Sequence, residues 1–133
     1  MASIDRTQRH VVPSRRLPPP RFRYSPVVKA GSFVFVSGLV GLDPSTGALV
    51  PGGAHAQTRQ VLKNLWALCE EHGWSPEQLV VARIYHAVDA SPMEVNRAWD
   101  EAFVAVAPPA RSFVGVHSLP LDAAVEIEFQ LVI

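Results

Sequence analysis

The chain has 133 residues, of which 48% are hydrophobic and 18% charged, a size and balance typical of one soluble globular domain. No apolar run reaches the roughly 18 residues needed to cross a membrane, and the single cysteine, Cys69, excludes an intrachain disulfide. No apolar segment typical of a secretory signal follows the N-terminus, so these features together favour a reducing, cytoplasmic location.

The formal charges sum to zero, but they are unevenly distributed. The first 23 residues contain six arginines and one acidic residue, Asp5. Because Pro18-Pro19-Pro20 disfavours regular structure, we predict that residues 1–22 form an extended basic arm with neither helix nor strand, before a single domain at residues 23–133. A surface-hugging tail is the plainest interpretation of this arm. A nucleic-acid arm and an organelle targeting segment are the alternatives.

The first structured element of the domain is predicted to be a β-hairpin. Residues 33–37 are mostly β-branched or aromatic and are followed by Gly38, which indicates a buried strand. Residues 43–47, Asp-Pro-Ser-Thr-Gly, form a turn signature. We therefore expect residues 48–50 to return as a short second strand.

A helix is predicted next, at residues 54–72. Apolar side chains recur there at three- and four-residue spacing, and Gly73 follows as a C-cap, with Trp74 able to fold back onto the helix end. Cys69 lies on the apolar stripe, so we interpret it as a core residue rather than a nucleophile.

The remaining pattern predicts strand, helix, strand, strand. Residues 79–85 form a buried strand, Ser91-Pro92 starts a helix that ends before Pro108-Pro109, and residues 112–116 and 125–133 are strands. The resulting order β-β-α-β-α-β-β predicts an α+β fold with two helices on one face of a sheet. Because Glu126 and Glu128 share the other face with apolar neighbours, we expect self-association to cover that face.

Two residues near the C-terminus suggest an active site. The fork of Arg111 can hold a carboxylate, and Glu126, with Glu128 as its competitor, can move protons. Ser37 is interpreted as a strand-end hydroxyl that donates one hydrogen bond. No zinc site is indicated, because the five histidines, at positions 10, 55, 72, 86 and 117, lack metal-ligand spacing.

Several short motifs, spaced in the same order, resemble the reactive intermediate deaminase family (RidA or YjgF-like proteins) over about 110 residues, from Tyr24 to Ile133. The matching stretches are Tyr24-Ser25-Pro26, Val36-Ser37-Gly38, residues 42–47, residues 57–65, Val95-Asn96, Pro109-Ala110-Arg111-Ser112, Leu119-Pro120 and Val125-Glu126-Ile127-Glu128.

The resemblance implies a chorismate-mutase-like fold and a homotrimer with active sites in clefts between subunits. It implies hydrolysis of enamines and 2-imino acids, such as 2-aminoacrylate and 2-iminopropanoate, to 2-keto acids and ammonia, without a cofactor or metal. Carried over by motif, Arg111 and Glu126 would be catalytic, and Tyr24, Ser37 and Asn96 would bind the substrate. Nucleic acid is not an expected partner, since the body of the chain is acidic and lacks a basic-aromatic surface pattern.

Three positions depart from the family pattern. Phe113 stands where many members have cysteine, Leu39 where glutamine often follows Ser-Gly, and Val88 where aspartate is common. Phe113 would narrow the binding pocket or make it more apolar, which suggests a larger or more apolar imine. Two alternatives stay open: a related deaminase with an aminomuconate- or aminoacrylate-type substrate, and a trimer that binds a small ligand without turnover.

Overall fold

A computed structural model describes residues 7–133 and shows an α+β fold built on one six-stranded sheet. The elements in chain order are β1 (Arg9–Val11), β2 (Val27–Ala30), β3 (Phe33–Val40), α1 (Gly53–His72), β4 (Leu79–Ala87), α2 (Pro92–Ala102), β5 (Ala110–Val116) and β6 (Val125–Val132). Short 3₁₀ turns occupy Pro76–Gln78 and Pro120–Asp122. The strand order is β1-β2-β3-β6-β4-β5, and β4 and β5 are the parallel pair.

Both helices contribute to one hydrophobic core on one side of the sheet. The alternate residues of β6, Val125, Ile127, Phe129 and Leu131, are almost completely buried. Leu65 and Leu68 of α1 and Val95 and Trp99 of α2 belong to the same cluster. The predicted α+β class with two helices on one face is therefore confirmed at the level of the fold.

The predicted hairpin is correct in its first strand and its turn but wrong in its second strand. Residues 48–50 form no strand, and only an isolated bridge joins Leu42 to Leu49. β3 instead pairs with β2, across a tight turn in which Gly31 has φ 59°. The four residues of β2 include a lysine and are too few to show a clear alternation, so the sequence pattern did not reveal them.

The helix ends follow the sequence signals. Gly73 adopts the left-handed conformation with φ 72°, Trp74 N–H donates to the Cys69 carbonyl at 2.8 Å, and the Trp74 ring stacks on His72. At the start of α2, the Ser91 side chain accepts a hydrogen bond from Glu94 N–H. Cys69 is buried, and desolvation raises its pKa to about 11, as expected of a core thiol.

The N-terminal arm is more ordered than the sequence predicts. Arg9–Val11 forms a strand on the free edge of β2, so the expectation of no strand in residues 1–22 is wrong at these residues. Edge pairing uses backbone groups and needs no apolar side chains, which explains why no pattern marked it. Leu17 is buried in the core cluster. The division into an arm and a domain stays a prediction, and residues 1–6 lie outside the described part.

The sheet face opposite the helices, which we call the open face, carries exposed apolar side chains. They are Phe33 and Phe35 of β3, Val114 of β5 and Val132 of β6, each more than two-fifths exposed. A face of this kind is unusual for an isolated domain and is typical of an interaction surface. Separately, within residues 7–133, neither helix is long and apolar enough to cross a membrane.

Candidate active site

Glu126 lies in the middle of the open sheet face, at the wall of a cavity of about 240 Å³. On β6 it pairs with Val40 of β3 and Tyr85 of β4, and its neighbours in sequence point into the helix-covered core. Tyr24 and Ser37 line the same cavity. Three of the six residues predicted for the site therefore lie together in one protomer.

A glycine makes room for the Glu126 side chain. The β3–β6 ladder is irregular between Val36 and Leu39, and Gly38 lies within this interval. A Cβ atom at Gly38 would lie 2.7 Å from Glu126 Cδ and 2.9 Å from its Cγ, and closer still to Oε1. Only glycine therefore allows the carboxylate its observed position.

Glu126 and Glu128 share a strand face but have different surroundings. Glu128 accepts a hydrogen bond from the Tyr85 hydroxyl at 2.7 Å and lies 4.0 Å from Arg83 Nε. No residue among 7–133 donates a hydrogen bond to Glu126 or forms an ion pair with it. Burial, followed by repulsion from Glu128, raises the pKa of the Glu126 carboxyl above its usual 4.5. This environment suits an acid–base group, and that of Glu128 suits a structural one.

Ser37 donates its hydroxyl to the Ser25 carbonyl at 2.8 Å, which is the single hydrogen bond expected of it. Its backbone N–H also donates to the Pro26 carbonyl. These two bonds fix Ser25 and Pro26 against the middle of β3, so the strand-end position expected for Ser37 is wrong. Ser37 thus positions the Tyr24 segment beside the cavity.

Arg111 lies at the sheet edge on β5, within a second group of predicted residues. Its Nη1 donates to Asn96 Oδ1 at 2.9 Å, and its guanidinium carbon lies 5.5 Å from the centre of the Trp99 ring and 5.2 Å from that of Phe113. None of the ion pairs within residues 7–133 includes Arg111. The guanidinium is therefore oriented by neutral groups and keeps its charge available for a carboxylate.

Asn96 and Phe113 support this arginine. Asn96, predicted to bind substrate, contacts Arg111 directly, and the Phe113 ring stacks on His86 at 5.0 Å while its π system faces the guanidinium. We refer to Arg111, Asn96 and Phe113 as the arginine cluster, and to the hollow with Tyr24, Ser37 and Glu126 as the glutamate cavity.

The arginine cluster and the glutamate cavity lie on opposite faces of the sheet. Arg111 pairs with Ala82 and Ala82 with Phe129, both buried under the helices, whereas Glu126 pairs with Tyr85 on the open face. From strand spacings, the two backbones are also roughly 10 Å apart across the sheet and about as far along it. A single chain therefore does not bring Arg111 and Glu126 together.

Several residues around the site were not singled out from the sequence. Arg83 and Tyr85 both contact Glu128. Their two-residue spacing could have placed them on one face of a strand, but it could not have shown that this strand lies beside the glutamates. Phe22 and Leu121 line the glutamate cavity together with Leu39. Phe22 stands two residues before Tyr24 in a bent segment, where Tyr24 N–H donates to the Phe22 carbonyl at 3.1 Å, so strand alternation could not have placed it.

A larger hollow, of about 680 Å³, lies between the two helices and is lined by Arg59, Lys63 and Trp66 among others. It contains none of the six predicted site residues. The charged side chains that line it, Arg59, Lys63 and Glu101, are exposed, and none of its charged groups has the buried environment of Glu126, so the smaller glutamate cavity is the better candidate on chemical grounds.

Known proteins resemble this chain over nearly its full length. The model of the family described as Endoribonuclease L-PSP matches residues 14–133. A RutC family protein of Pyrococcus horikoshii is 36% identical over 120 residues, covering 90% of this chain and 94% of that protein. The 2-iminobutanoate/2-iminopropanoate deaminase of Mus musculus is 34% identical, covering 90% and 88%. The crystal structure of RidA from the Antarctic bacterium Psychrobacter superposes with a TM-score of 0.85 at 32% identity, covering 93% and 99%.

Proposed function

This chain belongs to the Endoribonuclease L-PSP family, which includes the RidA-type deaminases, and we propose that it hydrolyses reactive 2-imino acids to 2-keto acids and ammonia. The observation that carries the proposal is the presence of two complementary groups: an arginine with no carboxylate partner among residues 7–133 and a partly buried glutamate whose pKa is raised. A 2-imino acid presents a carboxylate for the first group and a C=N bond for the second.

The proposed reaction uses the two groups in sequence. Arg111 binds the substrate carboxylate with its fork, and Glu126 accepts a proton from water as the water oxygen bonds to the imine carbon and the C=N electron pair moves to nitrogen. Glu126 then returns a proton to nitrogen. Glu126 next transfers the proton of the new hydroxyl to the amino nitrogen; the C–N bond breaks, its electron pair leaves with ammonia, and the oxygen becomes the keto oxygen. Tyr24, Ser37, Asn96 and Phe113 position these groups.

We further propose that each site is formed by two copies of the chain in a homotrimer. Because the arginine cluster and the glutamate cavity occupy opposite sheet faces, contact between them joins two different surfaces, which generates a ring when the rotation closes. The exposed apolar face that carries Glu126 supplies an interface. The threefold number comes from the family resemblance, whereas the proposed cytoplasmic location follows from the single cysteine.

A mixing experiment tests the shared site. Arg111→Ala and Glu126→Gln should each be inactive toward imines generated in situ by an amino-acid oxidase. After the two variants are unfolded and refolded together at equal amounts, random assembly should restore about a quarter of the wild-type activity, because one site in four receives both intact residues.

The matched control mixes Glu126→Gln with Glu126→Ala, which cannot create an intact site and should stay inactive. If the Arg111→Ala and Glu126→Gln mixture also stays inactive while wild type refolds to full activity, the two-copy site is refuted. If wild type does not accelerate the loss of any tested imine, deamination itself is refuted and a ligand-binding trimer gains support. RNA cleavage is not favoured, since the body of the chain is acidic and its sequence lacks a basic-aromatic surface pattern.

A further inference from the structure

We infer that residues 18–22 form a fixed wall of the glutamate cavity that selects 2-imino acids with a large apolar side chain over those with a methyl group. This inference rests on the proposed deaminase function and names the substrate class of the same site. It assigns to the N-terminal arm a role in specificity, rather than that of a solvated tail.

The wall is held in place on both sides. Before it, Leu17 is 7% exposed within the core cluster. Within it, Arg21 Nη2 donates to the Gly47 carbonyl in the turn after β3. After it, Ser37 holds the Ser25 carbonyl. Four of the five wall residues, Pro18, Pro19, Arg21 and Phe22, line the cavity, and the two proline rings restrict the backbone further.

Most of the cavity lining besides Glu126 is apolar, although Arg21 also lines it. Phe22 and Leu39 line it, as does Leu121 from the turn before β6. In a single chain Phe22 is 69% exposed, so other residues within 7–133 leave most of its ring uncovered. A ligand with a large apolar side chain would bury this surface, whereas a ligand with a small side chain would leave it exposed to water.

The conformation of Leu121 points the same way. Its φ is 60°, in the left-handed region that disfavours a branched side chain, and it is 38% exposed. This conformation destabilises the folded chain locally, and such strained residues are typical of ligand-binding sites. Glycine or asparagine would occupy the same backbone position more easily.

The substituents of the imine carbon fix how the substrate meets the wall. The carboxylate is directed to Arg111 and the C=N nitrogen to Glu126, so only the amino-acid side chain is left to face the apolar surface. Each added methylene in such a pocket changes discrimination by about 10-fold or more. Imines derived from leucine or phenylalanine should therefore be better substrates than the alanine-derived imine.

The test compares wild type, Phe22→Ala and the control Met93→Ala, whose side chain is 79% exposed on α2 and outside the cavity. The imines of alanine, leucine and phenylalanine are generated in situ. For wild type and Met93→Ala, kcat/KM for the two larger imines should exceed that for the alanine imine by about 10-fold or more. In Phe22→Ala, kcat/KM for the two larger imines should fall while kcat/KM for the alanine imine stays unchanged, so most of this ratio should be lost.

A binding measurement separates the two proposals. Titration of wild type with pyruvate and with 4-methyl-2-oxopentanoate, the unreactive keto-acid products, should show tighter binding of the larger acid, and Phe22→Ala should remove the difference. Equal kcat/KM for all imines, or an unchanged ratio in Phe22→Ala, overturns the selectivity while leaving deamination intact. Absence of any turnover together with the expected binding preference overturns deamination and leaves the apolar wall supported.

Discussion

Glu126 and Glu128 are chemically identical residues two positions apart on one strand face, yet their surroundings give them different capacities. Glu128 is held by Tyr85 and Arg83, whereas Glu126 faces the cavity and has no such partner in the described part of the chain, residues 7–133. The sequence could identify the pair and, by resemblance, favour the first member. It could not provide the reason, because the side chains that distinguish them come from β4, more than 40 residues away along the chain.

The raised pKa of Glu126 makes a prediction about stability. Below pH 4.5, the usual value for glutamate, this carboxyl is protonated in both the folded and the unfolded chain. As pH rises above 4.5, the Glu126 carboxyl loses its proton more readily in the unfolded chain than in the folded one. The free energy of unfolding therefore falls until the pH exceeds the raised pKa. Glu126→Gln should therefore have a higher Tm than wild type at pH 7, and the two should converge at acid pH.

Thermal unfolding monitored by circular dichroism across pH 3–8 measures the Tm difference between Glu126→Gln and wild type. Glu77→Gln is the control, since Glu77 is exposed in the 3₁₀ turn before β4 and lies outside the cavity. It should follow the wild-type pH profile. A Glu126→Gln variant less stable than wild type at pH 7 would show that the ionised carboxylate has a stabilising partner in the folded protein.

At the scale of elements, the last turn of α1 is attached to the arm. Glu71 accepts hydrogen bonds from Ser14 Oγ at 2.6 Å and from Arg15 N–H at 2.7 Å, and His72 Nε2 bonds the Pro13 carbonyl at 2.8 Å. We call these contacts the arm attachment. They hold the chain immediately before Leu17 and so stabilise the path of residues 18–22 toward the cavity.

The arm attachment should control the accessibility of the arm. Glu71→Ala removes both hydrogen bonds to residues 14 and 15, and the loss of such charged bonds should raise local opening by about 10-fold. Limited trypsin digestion, followed by mass spectrometry, should show faster cleavage at Arg15, Arg16 and Arg21 by about the same factor.

Glu70→Ala is the matched control for the arm attachment. Glu70 neighbours Glu71, but the one ion pair of its side chain within residues 7–133 is an exposed contact of 3.9 Å with Arg16. Exposed pairs of this kind contribute little to stability, so cleavage should match wild type. Equal protection of the arm in Glu71→Ala would mean that Leu17 and the β1–β2 pairing hold it without these hydrogen bonds.

The elements differ in how far the sequence could predict them. Both helices carry their own signals, namely apolar periodicity, the Ser91 cap and the Gly73 cap, and their boundaries follow from local chemistry. β1 and β2 carry no such signal, because β1 is exposed throughout and β2 is four residues long. Their pairing depends on where the rest of the sheet lies, which is information that no local window contains.

For the whole molecule, the opposite placement of Arg111 and Glu126 was also beyond prediction from local pattern. The alternation of β6 placed Glu126 away from the core, but the face of Arg111 depends on the register of β5 against β4. The motif resemblance named both residues without saying how one chain arranges them. The structure thus adds a specific reason to expect that one copy alone is an incomplete enzyme.

Disrupting the open face should therefore abolish activity together with self-association. Phe35 is 43% exposed at the centre of this face, opposite Gln130 of β6. In Phe35→Asp, a charge that must be desolvated on assembly should shift the protein to monomers in analytical ultracentrifugation. Imine hydrolysis should fall by about 100-fold or more, the contribution lost when an acid–base group no longer meets the bound substrate.

Val104→Asp provides the control, because Val104 is 83% exposed beyond the end of α2, away from the open face. It introduces the same charge and should keep wild-type assembly and activity. Circular dichroism should show that Phe35→Asp retains its fold, since Phe35 points away from the helix-covered core formed by its neighbours Val34 and Val36. A monomeric Phe35→Asp variant with full activity would place the whole reaction within one chain and contradict the two-copy site.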